Sequence, residues 1–171
     1  MNVTHTNARV AVRLMLALVM MLVATRGFAA ALLSPEAMDV LHSAHTAVLY
    51  SLEPWTDPDD IKAKAKQLDG YAILGKASMS RSQTLAAVSE IEKAMAAWEE
   101  GSVAACFDPR HALRVRSKGH VYDFLVCYEC EGIQVFKDGA LIASAYVRGS
   151  PRVFNAMLRD ANVPVSTTGS R

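Results

Sequence analysis

Residues 111–147 read HALRVRSKGHVYDFLVCYECEGIQVFKDGALIASAYV, and this stretch decides the fold. Apolar and polar side chains alternate, or β-formers dominate, in Ala112–Arg116, Val121–Cys127, Ile133–Lys137 and Ala140–Val147, the pattern of strands with one face on a core. Lys118-Gly119 and Asp138-Gly139 mark two tight turns, and Asp-Gly is a strong signal for a type I′ hairpin. Four strands joined in this way make an antiparallel meander.

The flanks supply helices to cover it. Ser80-Arg-Ser-Gln83 has the form of a capping box and opens a helix expected to run to about Glu100, with Gly101 as its stop. Leu85, Val88, Ile91, Met95 and Trp98 fall on one stripe of that helix, so Trp98 is read as core. Ser34-Pro35-Glu36 starts an earlier helix expected to reach about Ala44. Ser150-Pro151 starts a last one, with Val153, Phe154, Met157, Leu158 and Ala161 on its apolar face and Pro164 beyond its end. Thr46 to Glu53 reads as a strand, with a continued helix as the alternative. Asp57 to Asp60 suits the cap of a short helix ending near Leu68, and Asp69-Gly70 turns into a short strand, Tyr71–Leu74. The expectation is an α+β domain: a mostly antiparallel sheet of about five to six strands, with a long amphipathic helix and a C-terminal helix packed on it.

The N-terminus has a different character. Residues 1–13 carry Arg9 and Arg13 and no acid, and Leu14 to Ala24 is an unbroken apolar run of eleven residues. Small residues follow at Gly27, Ala29 and Ala31. A basic start, a short apolar core and small residues at the exit describe a secretory signal peptide over 1–29, and the run falls short of the ~20 residues that span a bilayer. An uncleaved anchor is the alternative. Cleavage would leave an N-terminus near Ala30 or Leu32, one domain over 30–164 and a flexible polar tail over 165–171, with no stable membrane span. The mature chain then holds 15 basic and 17 acidic residues, since the leader contains three arginines and no acid. That balance gives no reason to expect a nucleic-acid partner. The expected location is the periplasm or cell envelope, with an envelope protein as the partner to consider.

The chemistry-bearing residues cluster. The three cysteines occur as Cys106-Phe-Asp-Pro-Arg-His111 and Cys127-Tyr-Glu-Cys130. Cys106, His111, Cys127 and Cys130 are three thiols and an imidazole, a ligand set that suits tetrahedral zinc. Export favours a disulfide instead, joining Cys106 to one of the pair or closing Cys127–Cys130. A redox C-x2-C is a third reading, weakened because that motif normally opens a helix and here lies between strands. Inert buried thiols are a fourth. The hairpin register bears on the choice. A two-residue turn at Lys118-Gly119 sets Arg114 opposite Asp123 and His111 opposite Val126, on the face away from Cys127. A three-residue turn sets His111 opposite Cys127.

Other groups are weaker candidates. Asp39, His42 and His45 are spaced by threes, which suits either a metal or a solvated helix face. Arg114, Arg116 and Lys118 alternate along one strand, as a wet face or as a site for an anion. Glu129 and Glu131 read as solvated carboxylates. No G-x-S-x-G, glycine-rich phosphate loop or H-E-x-x-H is present, and no residue is assigned a catalytic role. The reading is a non-enzymatic binding or structural module stapled by the Cys-His cluster; the alternatives are a metal-binding protein that uses the cluster as its working site and a thiol-disulfide redox protein.

The Cys106-Phe-x-Pro-Arg-His111 and Cys127-Tyr-x-Cys130 motifs, with Leu49-Tyr-Ser-Leu-Glu-Pro54 and Ile73-Leu-Gly-Lys76, resemble a group of small, uncharacterised, exported bacterial proteins sharing a C-[FY]-x-P-R-H … C-[FY]-x-C pattern. The likeness covers roughly residues 46–137. It implies a bacterial cell-envelope setting and carries no activity with it.

Overall fold

The computed structural model describes residues 33–55, 66–99, 101 and 105–167. The expected signal peptide, and most of the short helix expected after Asp57, lie outside them. The described chain forms α1 (Pro35–His42), β1 (Ala47–Glu53), β2 (Gln67–Leu68), β3 (Tyr71–Met79), α2 (Arg81–Ala96), β4 (His111–Ser117), β5 (His120–Cys127), β6 (Gly132–Lys137), β7 (Ala140–Tyr146) and α3 (Arg152–Asp160). The strands make one antiparallel sheet in the order β2-β3-β1-β4-β5-β6-β7. The α+β class and the antiparallel sheet are therefore present, with seven strands among the described residues in place of five to six. The extra strand is Gln67–Leu68, where a helix end was expected. Asp69 (φ 47°) and Gly70 (φ 93°) fold it back onto β3.

Turn chemistry sets the registers. Lys118 and Gly119, and Asp138 and Gly139, all have positive φ, the geometry of type I′ turns, whose twist matches that of the strands they join. The Lys118-Gly119 turn has two residues, so Ser117 pairs with His120, Arg114 with Asp123 and His111 with Val126.

One face of the sheet carries the main core. Leu49, Leu113, Val115, Phe124, Val126, Ile133 and Val135 meet Leu41 of α1, Ile91 of α2, and Phe154 and Leu158 of α3. Ser34 caps α1 by accepting from the Ala37 amide, and Ser80 and Gln83 close the expected capping box on α2. The buried face of α2 is Thr84, Ala87, Val88, Ile91, Ala94 and Met95. Leu85 is left 48% exposed. Ala87 and Ala94 have no side chain beyond Cβ, so the helix seats on that line, and the stripe drawn through Leu85 is displaced. The helix ends at Ala96, short of the expected Glu100. Trp98 therefore lies beyond it, partly exposed and stacked on Tyr146 at 4.7 Å, instead of in the core.

The opposite face folds on itself. Tyr50, Leu52, Leu68, Ala112 and Leu125 form a second, smaller core. Leu68 belongs to β2 and Leu125 to β5, with three strands between them, so the sheet must curl strongly for them to meet. Tyr71 seals the curl by donating from Oη to the Phe107 carbonyl at 3.0 Å, with the two rings edge to face. A β-bulge at Ser51/Leu52 supplies local bending of β1 against β3.

The segment after α3 is anchored as far as Ser166. Asn162 takes a left-handed conformation (φ 56°) after α3. The Val163 amide returns to the Leu158 carbonyl and the Asn162 amide to that of Arg159, a Schellman stop. Ala161, expected on the apolar face, is exposed in this stop. Val163 and Val165 then pack against the main core, and Ser166 Oγ donates to Glu53 at 3.0 Å. Val163 lies where only glycine fits on β3: a Cβ built on Gly75 would meet Val163 Cγ1 at 2.7 Å. Val163 is β-branched and stiff, so Gly75→Val should destabilise the protein by about 1–3 kcal/mol in urea unfolding. Val163→Ala in the same chain should recover part of that loss.

Candidate functional site

The Cys-His cluster divides between the two faces of the sheet. Side chains alternate along a strand, and His111 sits opposite Val126, one residue before Cys127. His111 therefore turns to the helix side. Its Nε2 is 2.8 Å from Asn155 Oδ1 on α3, and its ring lies against Phe154. The structure does not bring it to the cysteines, and the proposed ligand set Cys106, His111, Cys127, Cys130 loses its imidazole. His111 is 3% exposed, and burial pulls its pKa down to about 4. It is a neutral tie between the sheet and the last helix.

Cys106 and Cys130 lie at disulfide-bonding distance, with Cα atoms 5.6 Å apart. The link ties the segment before β4 to the β5–β6 turn. Cys127 is the remaining, buried cysteine. Cys130 donates its amide to Cys127 Sγ at 3.1 Å, and Asp108 donates its amide to Cys130 Sγ at 3.4 Å. Burial raises the Cys127 thiol pKa, while the amides of Asp108, Cys130 and Glu129 act against that rise. Glu129 pairs with Arg110 at 2.7 Å, and Glu131 holds Arg148 through two contacts at 2.9 and 3.1 Å.

The row Asp39, His42, His45 is broken because α1 stops at His42, whose ring pairs with Glu92 at 2.7 Å. The cleft beside α1 is wide, about 870 Å³. Several of its polar groups are already engaged: Glu36 accepts from Tyr122 Oη and Lys137 Nζ, and His120 pairs with Asp138.

The arginine row leads to a different place. On the curled face, β3, β1 and β4 bring Ser78, Val48 and Arg114 into one cross-strand row, and Lys76, Tyr50 and Ala112 into the next. Arg116 continues the first strand of cations. All of these but Ala112, together with Thr46, Ala47 and Met79, line a groove of about 530 Å³. Arg114 is fixed at its floor. It grips Asp123 through two bonds of 2.6 and 2.7 Å, and its guanidinium lies 5.3 Å from the centre of the Tyr50 ring. Asp69, from the β2–β3 turn, reaches the same cluster; burial first, then the Asp123 charge, raises its pKa to about 6. Lys76 and Arg116 make no ion pair with a described residue. The alternation of Arg114 and Arg116 was visible in the sequence. The partners Lys76, Tyr50 and Asp69 were not, because strand order and curl bring them in.

Two outcomes follow from this geometry. Native protein should show one thiol per chain, silent to an aromatic disulfide reagent until the chain unfolds, and the Cys106→Ser/Cys130→Ser double variant should lose about 3 kcal/mol, given the loop closed across a separation of 24 residues. His111, depressed from 6.5 to about 4, takes up its proton in the unfolded chain first. Its contribution is complete above pH ~6.5 and is lost as pH falls toward 4, by roughly 3 kcal/mol at ~1.36 kcal/mol per pH unit. His111→Gln should flatten that stretch of the stability-against-pH curve. The chain matches no family model, no curated protein and no solved structure.

Proposed function

We propose that the chain works in the cell envelope as a non-catalytic binding module, and that its ligand is a small amphipathic anion held in the groove of the curled sheet face. The observation that carries this reading is the pair of cations, Lys76 and Arg116, without an ionic partner among the described residues, set around an apolar floor. Val48 and Tyr50 offer the ligand's body a surface. Thr46 and Ser78 add hydroxyl groups for its polar end. Arg114 is already neutralised by Asp123, so it shapes the floor and stiffens Tyr50 more than it attracts charge.

The export part of the proposal rests on the basic start, short apolar core and small exit residues of 1–29. A cysteine pair at disulfide distance is compatible with that route. The likeness to exported bacterial proteins through the two cysteine motifs points the same way. Among the described residues no helix is long and apolar enough to cross a membrane.

An aryl sulfonate dye, 8-anilinonaphthalene-1-sulfonate, tests the groove because it joins an apolar body to a fixed negative charge. Native protein should bind it saturably at one site, more weakly as salt rises. Lys76→Glu/Arg116→Glu should weaken binding at least about tenfold, the equivalent of ~1.4 kcal/mol, with unchanged thermal stability. Equal binding by the double variant would remove the groove from consideration.

A further inference from the structure

The cysteine cluster has a fourth member that the sequence did not single out. Asp108 is 9% exposed, and its Oδ2 has no hydrogen-bond partner among the described residues. A buried carboxylate oxygen without a partner is costly, so its position calls for an electropositive neighbour. Its carboxylate oxygen and the sulfurs of Cys106 and Cys130 all lie within 4.8 Å of one another. Cys127 adjoins them: its sulfur accepts from the Cys130 amide, and the Asp108 amide faces both the Cys127 and the Cys130 sulfurs. Amides converging on sulfur from a C-x2-C turn are what a thiolate ligand needs to disperse its charge. We propose that, once the Cys106–Cys130 bridge is reduced, Cys106, Cys127, Cys130 and Asp108 form a four-ligand site for a thiophilic divalent cation of the zinc type, so that bridge and metal are alternative states of one cluster.

The steps balance. A dithiol reductant gives two electrons and two protons to the bridge and leaves as its own disulfide, and Cys106 and Cys130 become thiols. Zinc then binds as the three thiols release three protons to solvent. Zinc–sulfur bonds of ~2.3 Å separate tetrahedral sulfurs by ~3.8 Å, within the 4.8 Å span that the ligand atoms of Cys106, Asp108 and Cys130 already occupy. The Cys127 sulfur lies outside that span, so the rearrangement needs side-chain rotation at Cys127 as well as at Cys106, the most exposed of the three cysteines, and no change in strand register. His111 takes no part, because it faces the helices. The proposal stands independently of the groove.

The test is a metal titration on full-length protein, purified oxidised or reduced and handled without oxygen. Cobalt(II) serves as the spectroscopic probe, and zinc competing with a chromophoric chelator gives affinity. The reduced protein should take up one equivalent of cobalt, with sulfur-to-metal charge-transfer bands and the visible bands of a tetrahedral site, and the oxidised protein none. Removing an outer-shell group alone typically costs 10–100-fold in metal affinity, so Cys127→Ala should cost at least about 100-fold and Asp108→Asn at least about tenfold. His111→Gln should bind as the parent does. If reduction unfolds the chain, zinc should restore its circular dichroism, since binding free energy becomes folding free energy. A reduced protein with no thiolate–cobalt bands would overturn the proposal. So would Asp108→Asn binding as tightly as the parent, or a reduced chain that zinc leaves unfolded.

Discussion

The register of the β4–β5 hairpin governs what the rest of the molecule can be. It is set by a two-residue turn, Lys118-Gly119, with both residues at positive φ. One pair of charges confirms it at mid-strand, Arg114 on Asp123. A slip of one residue in β4 would send Arg114 into the main core and expel Val115, and the same slip in β5 would send Asp123 in and expel Phe124. The same register divides two residues that the sequence groups as one motif. His111 goes to the helices and Cys127 to the curl. The tight turn and the ion pair thus decide which polar groups can share a site.

Curl is the second constraint, and it follows from the first. Among the described residues the sheet has seven strands, and the three described helices pack on one face. The other face carries Tyr50, Leu52 and Leu125, too apolar to be left in water. With β2 brought over by the Asp69-Gly70 turn, Leu68 closes on them. Tyr71 and Phe107 clasp the closure, and Phe107 also packs within 3.3 Å of where a Cβ on Gly132 would stand. The cysteine link ties the segment that carries Phe107 to the β5–β6 turn, so the staple and the curl support each other. Farther along the same face, where β2 no longer reaches, the sheet stays open as the cationic groove.

These facts explain how much of the molecule was legible in the sequence. Alternation and I′ turn residues are local signals, and β4 to β7 followed from them almost residue by residue. Caps are local as well: Ser34 and Ser80 act as read. What failed was decided at a distance. The buried face of α2 depends on how closely Ala87 and Ala94 let it approach the sheet, so Leu85 and Trp98 were misassigned. Gln67–Leu68 is too short to show a period, and only its partner β3 makes it a strand. In the cluster, three cysteines were legible by type and spacing, and the hairpin register already offered the alternative in which His111 leaves them. Asp108 was not legible, because nothing in Cys-Phe-Asp-Pro-Arg-His tells which polar residue turns inward.

Two titrating groups, His111 buried and Asp69 half-buried, give the fold opposing dependences on pH. His111 has its pKa lowered by burial, so acidification below pH ~6.5 loads the unfolded chain with a proton that the folded one resists. Asp69 has its pKa raised from 3.8 to about 6, so its contribution is full below pH ~3.8 and is lost as pH rises through 6. The two are not equal partners. His111 is almost fully enclosed between Asn155 and Phe154, while Asp69 sits on a turn where water screens part of its interaction with Asp123. The histidine therefore dominates, and net stability falls toward acid. When Asp69 is protonated, the acidic charge beside Arg114 is reduced from two carboxylates to one, and the floor becomes more cationic. An anion in the proposed site would then be held more tightly at mildly acidic pH than at neutral pH, without any strand having to move.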